Sequence, residues 1–325
     1  MVFAKPFKYV CSALLVIVLS AGTSEALADY TPAETLLKQG RVDEAGTVLN
    51  KTLATQASDA RTHFLLCRVY YSQDMADAAV RECEMATAMD PSNSDYQMWL
   101  GRAYGLKASQ ANMFSAFSIA KKVRTAFEQA VQLDPSNAAA MSALGEFYVQ
   151  APAIVGGGLD KAQALAPKLL AVSPSKGHRL LGLIADKKND AATAETEFKA
   201  AAAAGRSPDA YVDLAAFYQR RGQADKAYAA LLASIEANHA KDASLVDVAS
   251  LLTTLNRSPD LAERALRDYL TSGAKSDDAP AFKVYVQLGD LLQKRGDTAG
   301  AHKEYVAAVA LASKYVPARK ALQGT

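Results

Sequence analysis

The chain has 325 residues, half of them hydrophobic, with 36 basic and 34 acidic side chains and a formal net charge of +2. That balance excludes the dense basic face with which a nucleic-acid binder neutralises phosphates. Length by itself suggests two globular domains, but the order of elements points to one elongated array.

Lys5 and Lys8 give a positive start, Tyr9 to Leu19 a short apolar run, and Ala26–Leu27–Ala28 a small-x-small site. Residues 1–28 therefore read as a secretory signal peptide cut after Ala28. The run is too short for a membrane span; an uncleaved anchor is the other reading. Cleavage removes Lys5, Lys8 and Glu25 and leaves a net charge of about +1. No second apolar run follows, so the mature chain is expected to be soluble, without membrane insertion, and periplasmic or secreted.

From residue 29 onward the chain reads as paired helices. The first pair, 30–57, is degenerate, with Gly40 at its turn and Ala45 and Leu49 facing inward. The second, 60–91, is the clearest. His63, Leu66, Cys67 and Tyr70 recur at helical spacing, as do Ala79, Cys83 and Ala86 after the turn at Ser72–Gln73–Asp74. Pro91 follows where a helix cannot continue. The third, 94–135, carries Trp99, Leu100, Gly101 and Tyr104, then Val123, Phe127 and Ala130. Between them Lys107 to Ser118 is longer than a turn needs, and Met113, Phe114 and Phe117 are apolar for a loop. They either fold back on the core or form a partner patch.

The fourth pair, 138–174, has Met141, Leu144, Gly145 and Tyr148, then Gly156–Gly157–Gly158 before Asp160, a candidate N-cap. Pairs at 175–206, 208–240, 242–272 and 281–315 repeat the pattern, and 316–323 reads as a capping helix. Gly101, Gly145, Gly182, Ala215, Ala249 and Gly289 recur at one position, where two helices cross most closely. Glycine in a helix costs about 1 kcal/mol relative to alanine, so its recurrence implies that close packing offsets the cost.

Leu100–Gly101…Tyr104, Leu144–Gly145…Tyr148, Leu214–Ala215…Tyr218 and the repeated Asp-Pro after the second helix resemble the tetratricopeptide repeat family. The resemblance covers nearly the whole mature chain and implies an all-α, right-handed α-solenoid of about eight repeats with a C-terminal cap. "GRAYG", "KKVRTAFEQAVQLDP" and "EFYVQAP…GGG" further resemble an exported bacterial group of such proteins. In the family the first helix of each repeat lines the concave face. On that pattern Arg61, Phe64, Arg68, Tyr71, Met98 and Arg102 are the exposed inner positions of the second and third repeats and the candidate partner-binding residues. Arginine offers a planar fork to carboxylates, and aromatics anchor side chains. The lysine–asparagine set with which some members clamp peptide carboxylates is not reproduced. The family fold also brings the positions of Cys67 and Cys83 face to face across the closest helix contact. They form either a disulfide or a reduced pair packed as small hydrophobes.

No catalytic constellation is found: the chain has no Gly-x-Ser-x-Gly elbow, no His-Glu-x-x-His and no Walker loop. His63, His178, His239 and His302 fall in different repeats, which is wrong for a metal site. Gly156–Gly157–Gly158 lacks the strand before it and the Lys-Ser/Thr after it that a phosphate loop requires, and reads as a flexible linker. The expected function is therefore a non-enzymatic, exported protein-interaction scaffold without cofactor or metal, holding a protein or peptide in its concave groove. The other reading is a solute-binding accessory of an envelope transport system that encloses a small ligand.

Overall fold

The structure, a computed structural model, describes residues 29–56 and 59–325; the leader expected at 1–28 lies outside them. Among the described residues it has seventeen helices and no strand. It is a right-handed solenoid of antiparallel helix pairs. The pairs are α1 (Thr31–Lys38) with α2 (Val42–Thr55), α3 (Ala60–Ser72) with α4 (Ala76–Met89), and α5 (Ser94–Gln110) with α6 (Met113–Leu133). Then come α7 (Ala138–Gln150) with α8 (Leu159–Val172), α9 (Pro174–Lys187) with α10 (Ala191–Gly205), and α11 (Pro208–Arg220) with α12 (Ala224–Ala237). α13 (Ser244–Thr254) with α14 (Pro259–Thr271) and α15 (Ala281–Lys294) with α16 (Thr298–Leu311) complete the array, and α17 (Val316–Gln323) packs on the last pair.

Helix ends follow from local chemistry. After α4 and α6 the chain reads Asp-Pro-Ser-Asn. The proline cannot extend the helix. The aspartate folds the turn: Asp134 accepts from the Ser136 amide at 2.8 Å and hydroxyl at 2.6 Å, and Asp90 accepts from the Ser92 hydroxyl at 2.7 Å. The asparagine then caps the next helix. Asn93 accepts from the amides of Asp95 and Tyr96, and Asn137 from that of Ala140. In the second, fifth, sixth and eighth repeats the chain reverses between the two helices through one left-handed residue: Asp74, Asn189, Gly222 and Gly296, with φ of 60°, 62°, 70° and 84°.

The small residue of the first helix faces the bulky one of the second. A Cβ on Gly101 would stand 2.5 Å from the Phe127 ring, and one on Gly182 would stand 3.1 Å from Phe198. Cys67 and Cys83 hold the same pair of positions and are joined by a disulfide, with Cα atoms 5.2 Å apart. Gly145 instead meets Leu180 of the next repeat, 2.7 Å from where its Cβ would be. Leu180 is itself buried. Gly145→Leu should therefore cost about 1–3 kcal/mol by overpacking, partly offset by better helix propensity. A denaturant midpoint by circular dichroism checks it; an unchanged midpoint would mean α9 yields freely.

A second set of contacts stitches consecutive repeats. Tyr104, Tyr148 and Tyr218 donate back to Glu84, Glu128 and Glu195 on the preceding second helix, at 2.5, 2.9 and 2.9 Å. Lys122, Lys161 and Lys226 lie over the same three rings at 5.1–5.6 Å. Burial, then the accepted carboxylate bond, raises all three phenol pKa values.

Three sequence expectations need correction. Residues 107–118 are not a loop: α5 and α6 each run past the usual repeat length, with Ala111 and Asn112 between them and Asn112 capping α6. The stretch has no glycine or proline to stop a helix. Met113, Phe114 and Phe117 do not fold back; Phe114 is 87% exposed. Gly156–Gly157–Gly158 is a packed turn rather than a flexible linker. Its three amides donate to the carbonyls of Ala153, Pro152 and Tyr148, which leaves none to cradle a phosphate. The N-cap of α8 is Gly158, and Asp160 sits in the first turn, where a negative charge suits the helix dipole.

The solenoid closes on itself. Phe282, Ala312, Tyr315 and Ala318 from the last helices belong to one contiguous core with Leu37, Leu49 and Leu65 from the first. Polar contacts seal the seam. Ser313 donates its amide to Asp43 at 2.7 Å, and Lys283 reaches Asp74 at 2.6 Å. A Cβ on Gly40 would stand 2.7 Å from the Ala281 amide nitrogen, so the ends meet backbone to backbone.

Candidate functional site

Closure turns the concave face into a lumen. First helices supply most of its wall, because in each repeat the second helix packs outside. The cavity, of about 950 Å3, is lined by Tyr71 on α3, Arg102 on α5, Ser142 and Glu146 on α7, and Lys176 and Arg179 on α9. Asp209 and Asp213 on α11, Asp247 on α13, and Asp277 and Asp278 before α15 add carboxylates, and apolar side chains such as Phe127, Phe147 and Val212 stand among them. The side formed by α11, α13 and the residues before α15 is thus acidic, while the α5–α9 side carries Arg102, Lys176 and Arg179 together with Glu146.

Arg179 bridges the two. It donates to Asp213 at 2.8 Å and to Glu146 at 3.1 Å. Burial would lower its pKa, but the two carboxylates outweigh burial and hold it above its ordinary value. Asp247 has solvent beside it in the lumen yet protein on most other sides. Those surroundings, and next the charges of Asp209, Asp213 and Asp242, push it up to about 6. The folded protein therefore holds a proton between about pH 4 and 6 that the unfolded chain has released. Stability contributed here is present at the acid end and lost as pH rises through 6. Asp247→Asn should flatten that part of the stability–pH curve and raise the midpoint at pH 7. Denaturant titrations at pH 4.5, 5.5 and 7 check it; parallel curves for both proteins would refute it.

The six residues predicted to line the groove divide. Tyr71 and Arg102 reach the lumen. Phe64 and Met98 are not exposed inner positions; each is buried at 5% exposure. Phe64 packs on Tyr96 at 4.7 Å and Trp99 at 6.2 Å between ring centroids, so the next repeat covers it. Arg61 pairs with Glu34 of the first repeat. Arg68 forms a two-pronged pair with Asp277, Nε to Oδ2 at 2.7 Å and a terminal nitrogen to Oδ1 at 2.8 Å. It therefore carries a seam contact that the sequence reading does not give it. Arg102 approaches Asp278 at 3.4 Å and lies over Trp99 at 4.8 Å.

Sequence reasoning missed Lys176, Arg179, Asp209, Asp213 and Asp247. A signal was available. Lys176 and Asp209 both stand six places before the small residue of their helix, and Asp213 and Asp247 two places before. Carrying the registers of Arg61, six places before, and of Phe64 and Met98, three places before, past the third repeat finds Lys176, Asp209 and Arg179; Asp213 and Asp247 fall outside the registers used there. His63 and His178 are held by Glu82 and Glu197, each at 2.8 Å. Among the described residues no His/Cys/Asp/Glu group is arranged to hold a metal ion, and no helix is long and apolar enough to cross a membrane.

Residues 36–103 match the family model for the tetratricopeptide repeat. No curated protein sequence matches the chain. Among solved structures, yeast Tom70 is similar at 16% identity and a TM-score of 0.52, over 87% of this chain and 58% of its own. The APC/C hetero-tetramer Cut9-Hcn1 aligns at 13% identity and a TM-score of 0.42, over 90% of this chain and 54% of its own. A thermophilic TPR protein of Thermus thermophilus aligns at 17% identity and a TM-score of 0.40, over 73% of this chain and 99% of its own. The chain thus spans little more than half the length of the first two. The Tom70 likeness concerns the fold.

Proposed function

We propose that this tetratricopeptide-repeat protein is an exported scaffold that holds a segment of a partner protein in the lumen of its closed ring. The lumen carries the reading: a solvent-reached space of about 950 Å3 whose wall is built repeat by repeat from first helices. Its cations (Arg102, Lys176) and its acidic side (Asp209, Asp247) suit a segment that bears both signs. Export is supported by the leader pattern at 1–28 and by the Cys67–Cys83 bridge, since disulfides persist in oxidising compartments.

A photo-crosslinking amino acid in place of Ser142, in the lumen wall, should trap the partner in cells. Crosslinks from Phe114 on the outer edge, with none from position 142, would move the site outside. N-terminal sequencing of the purified protein should begin at Asp29.

The cavity volume also favours a second reading. It lies at the upper end of the range for small-molecule sites, about 300–1,000 Å3. Such sites are mostly apolar, and this one mixes apolar side chains such as Phe127, Ala143, Phe147 and Val212 with its charged ones. Native mass spectrometry of protein purified without denaturant decides between them, because a retained small molecule appears there as added mass.

A further inference from the structure

Trp99 lies at the centre of a layered cluster on the inner face. The Arg68 guanidinium stands over the Phe64 and Trp99 rings at 5.4 and 5.3 Å, and Arg102 over Trp99 at 4.8 Å. Stacking on aromatics fixes the planes of the two guanidiniums and leaves their N–H edges free to meet carboxylates. The carboxylates that meet them come from 209 and 176 residues away.

Those carboxylates sit on a connector that is unusual for this chain. Residues 272–280 join α14 to α15, whereas the connectors 90–93 and 134–137 need four residues. The extra length forms a finger with its own internal support. The buried Tyr269 donates its hydroxyl to the Ala279 carbonyl at 2.6 Å and accepts from the Ser276 amide at 3.0 Å. Lys275 donates to the carbonyls of Leu270 and Ser272. None of these bonds involves the arginines, so the finger has a shape without them. At its tip Asp277 is buried against Arg68, with 9% of its side chain exposed, while Asp278 beside Arg102 stays 69% exposed.

We propose that the Arg68–Trp99–Arg102 cleft is a recognition site for two adjacent carboxylates on an acidic protein segment, and that Asp277 and Asp278 occupy it as a ligand in cis. The proposal rests on the reading of the lumen as a partner-binding space and names the chemistry of the segment that enters. A tethered ligand acts at an effective concentration of order millimolar or above, so a free acidic segment competes poorly until the finger leaves. Withdrawal of the finger also vacates the part of the lumen beside Tyr71 and Arg102, which couples binding in the cleft to the room available for the rest of the partner.

The test uses the finger's own sequence as a capped synthetic peptide, SGAKSDDAP, titrated by fluorescence anisotropy against the full mature protein. It should bind Asp277→Asn/Asp278→Asn protein at least about tenfold more tightly than the parent, because the occluded fraction of sites is released. The control peptide SGAKSNNAP should bind neither. Equal affinity for both proteins, or equal binding of both peptides, overturns the proposal. Should the double variant fail to fold, Asp278→Asn alone is the readout. Its carboxylate is mostly exposed, so folding does not hinge on it. It should show about a threefold gain, and none would overturn the proposal. Lumen crosslinks from position 142 without unmasked peptide binding would sink this proposal and leave the lumen reading standing. Unmasked peptide binding without lumen crosslinks would do the reverse.

Discussion

Arg68→Ala should cost about 3 kcal/mol and loosen the seam where the ring closes. The estimate comes from stranding Asp277. With Arg68 present, both oxygens of that carboxylate are met by the guanidinium fork, and only 9% of the side chain reaches solvent. Removing one partner of a buried pair leaves a desolvated charge, which costs about 3–5 kcal/mol where the remaining group cannot move. Asp277 is on a connector and can turn toward the lumen, so the lower end applies. Arg68→Ala/Asp277→Ala should be milder than either single change predicts by addition, since no charge is then left unpaired. Because repeat arrays do not always unfold in one step, a single midpoint is a poor readout. Hydrogen exchange read separately at 272–285 and at 208–237 resolves it. Faster exchange confined to the first segment is the expected result. Uniform change, or none, would mean that the pair contributes nothing specific to closure.

The repeats were legible in the sequence because their determinants are local. The small residue and its bulky partner lie one helical hairpin apart, as in Gly182 with Phe198 or Gly289 with Tyr305, and the Asp-Pro-Ser-Asn turns stop one helix and start the next. Closure was not legible. It depends on a small rotation accumulated over every repeat, and its contacts join residues such as Lys283 and Asp74 that share no local pattern. The same distinction governs the site. Tyr71 and Arg102, at the inner registers of α3 and α5, line the lumen, but whether a residue at such a register is exposed depends on what the next repeat lays over it. Tyr96 and Trp99 bury Phe64, and a connector at the far end of the chain engages Arg68. The long α5 and α6 were misread for a different reason. Extra helical length and an inserted loop give the same excess of residues, and only the absence of breakers between Lys107 and Ser118 tells them apart.

Removing the Cys67–Cys83 bridge should have an effect of similar size at a different place. The bridge closes a loop with a sequence separation of 16, for which the chain-entropy account gives about 3 kcal/mol. Both cysteines are buried, with their Cα atoms 5.2 Å apart across α3 and α4. Cys67→Ala/Cys83→Ala therefore also leaves a gap where other repeats place a ring against a glycine, and the cavity adds to the loss. A second variant separates the two causes. Cys67→Gly/Cys83→Phe restores the pairing seen at Gly101 with Phe127 and at Gly182 with Phe198, but forms no crosslink. It should recover the packing part and still fall short of the parent by most of the roughly 3 kcal/mol. Parental stability in that variant would show that the bridge only fills space. Arg68 follows Cys67 directly on α3, so slack in α3 reaches the seam contact with Asp277. The alanine pair should consequently speed hydrogen exchange at 272–285 as well as within α3 and α4, and the glycine–phenylalanine pair should do so less.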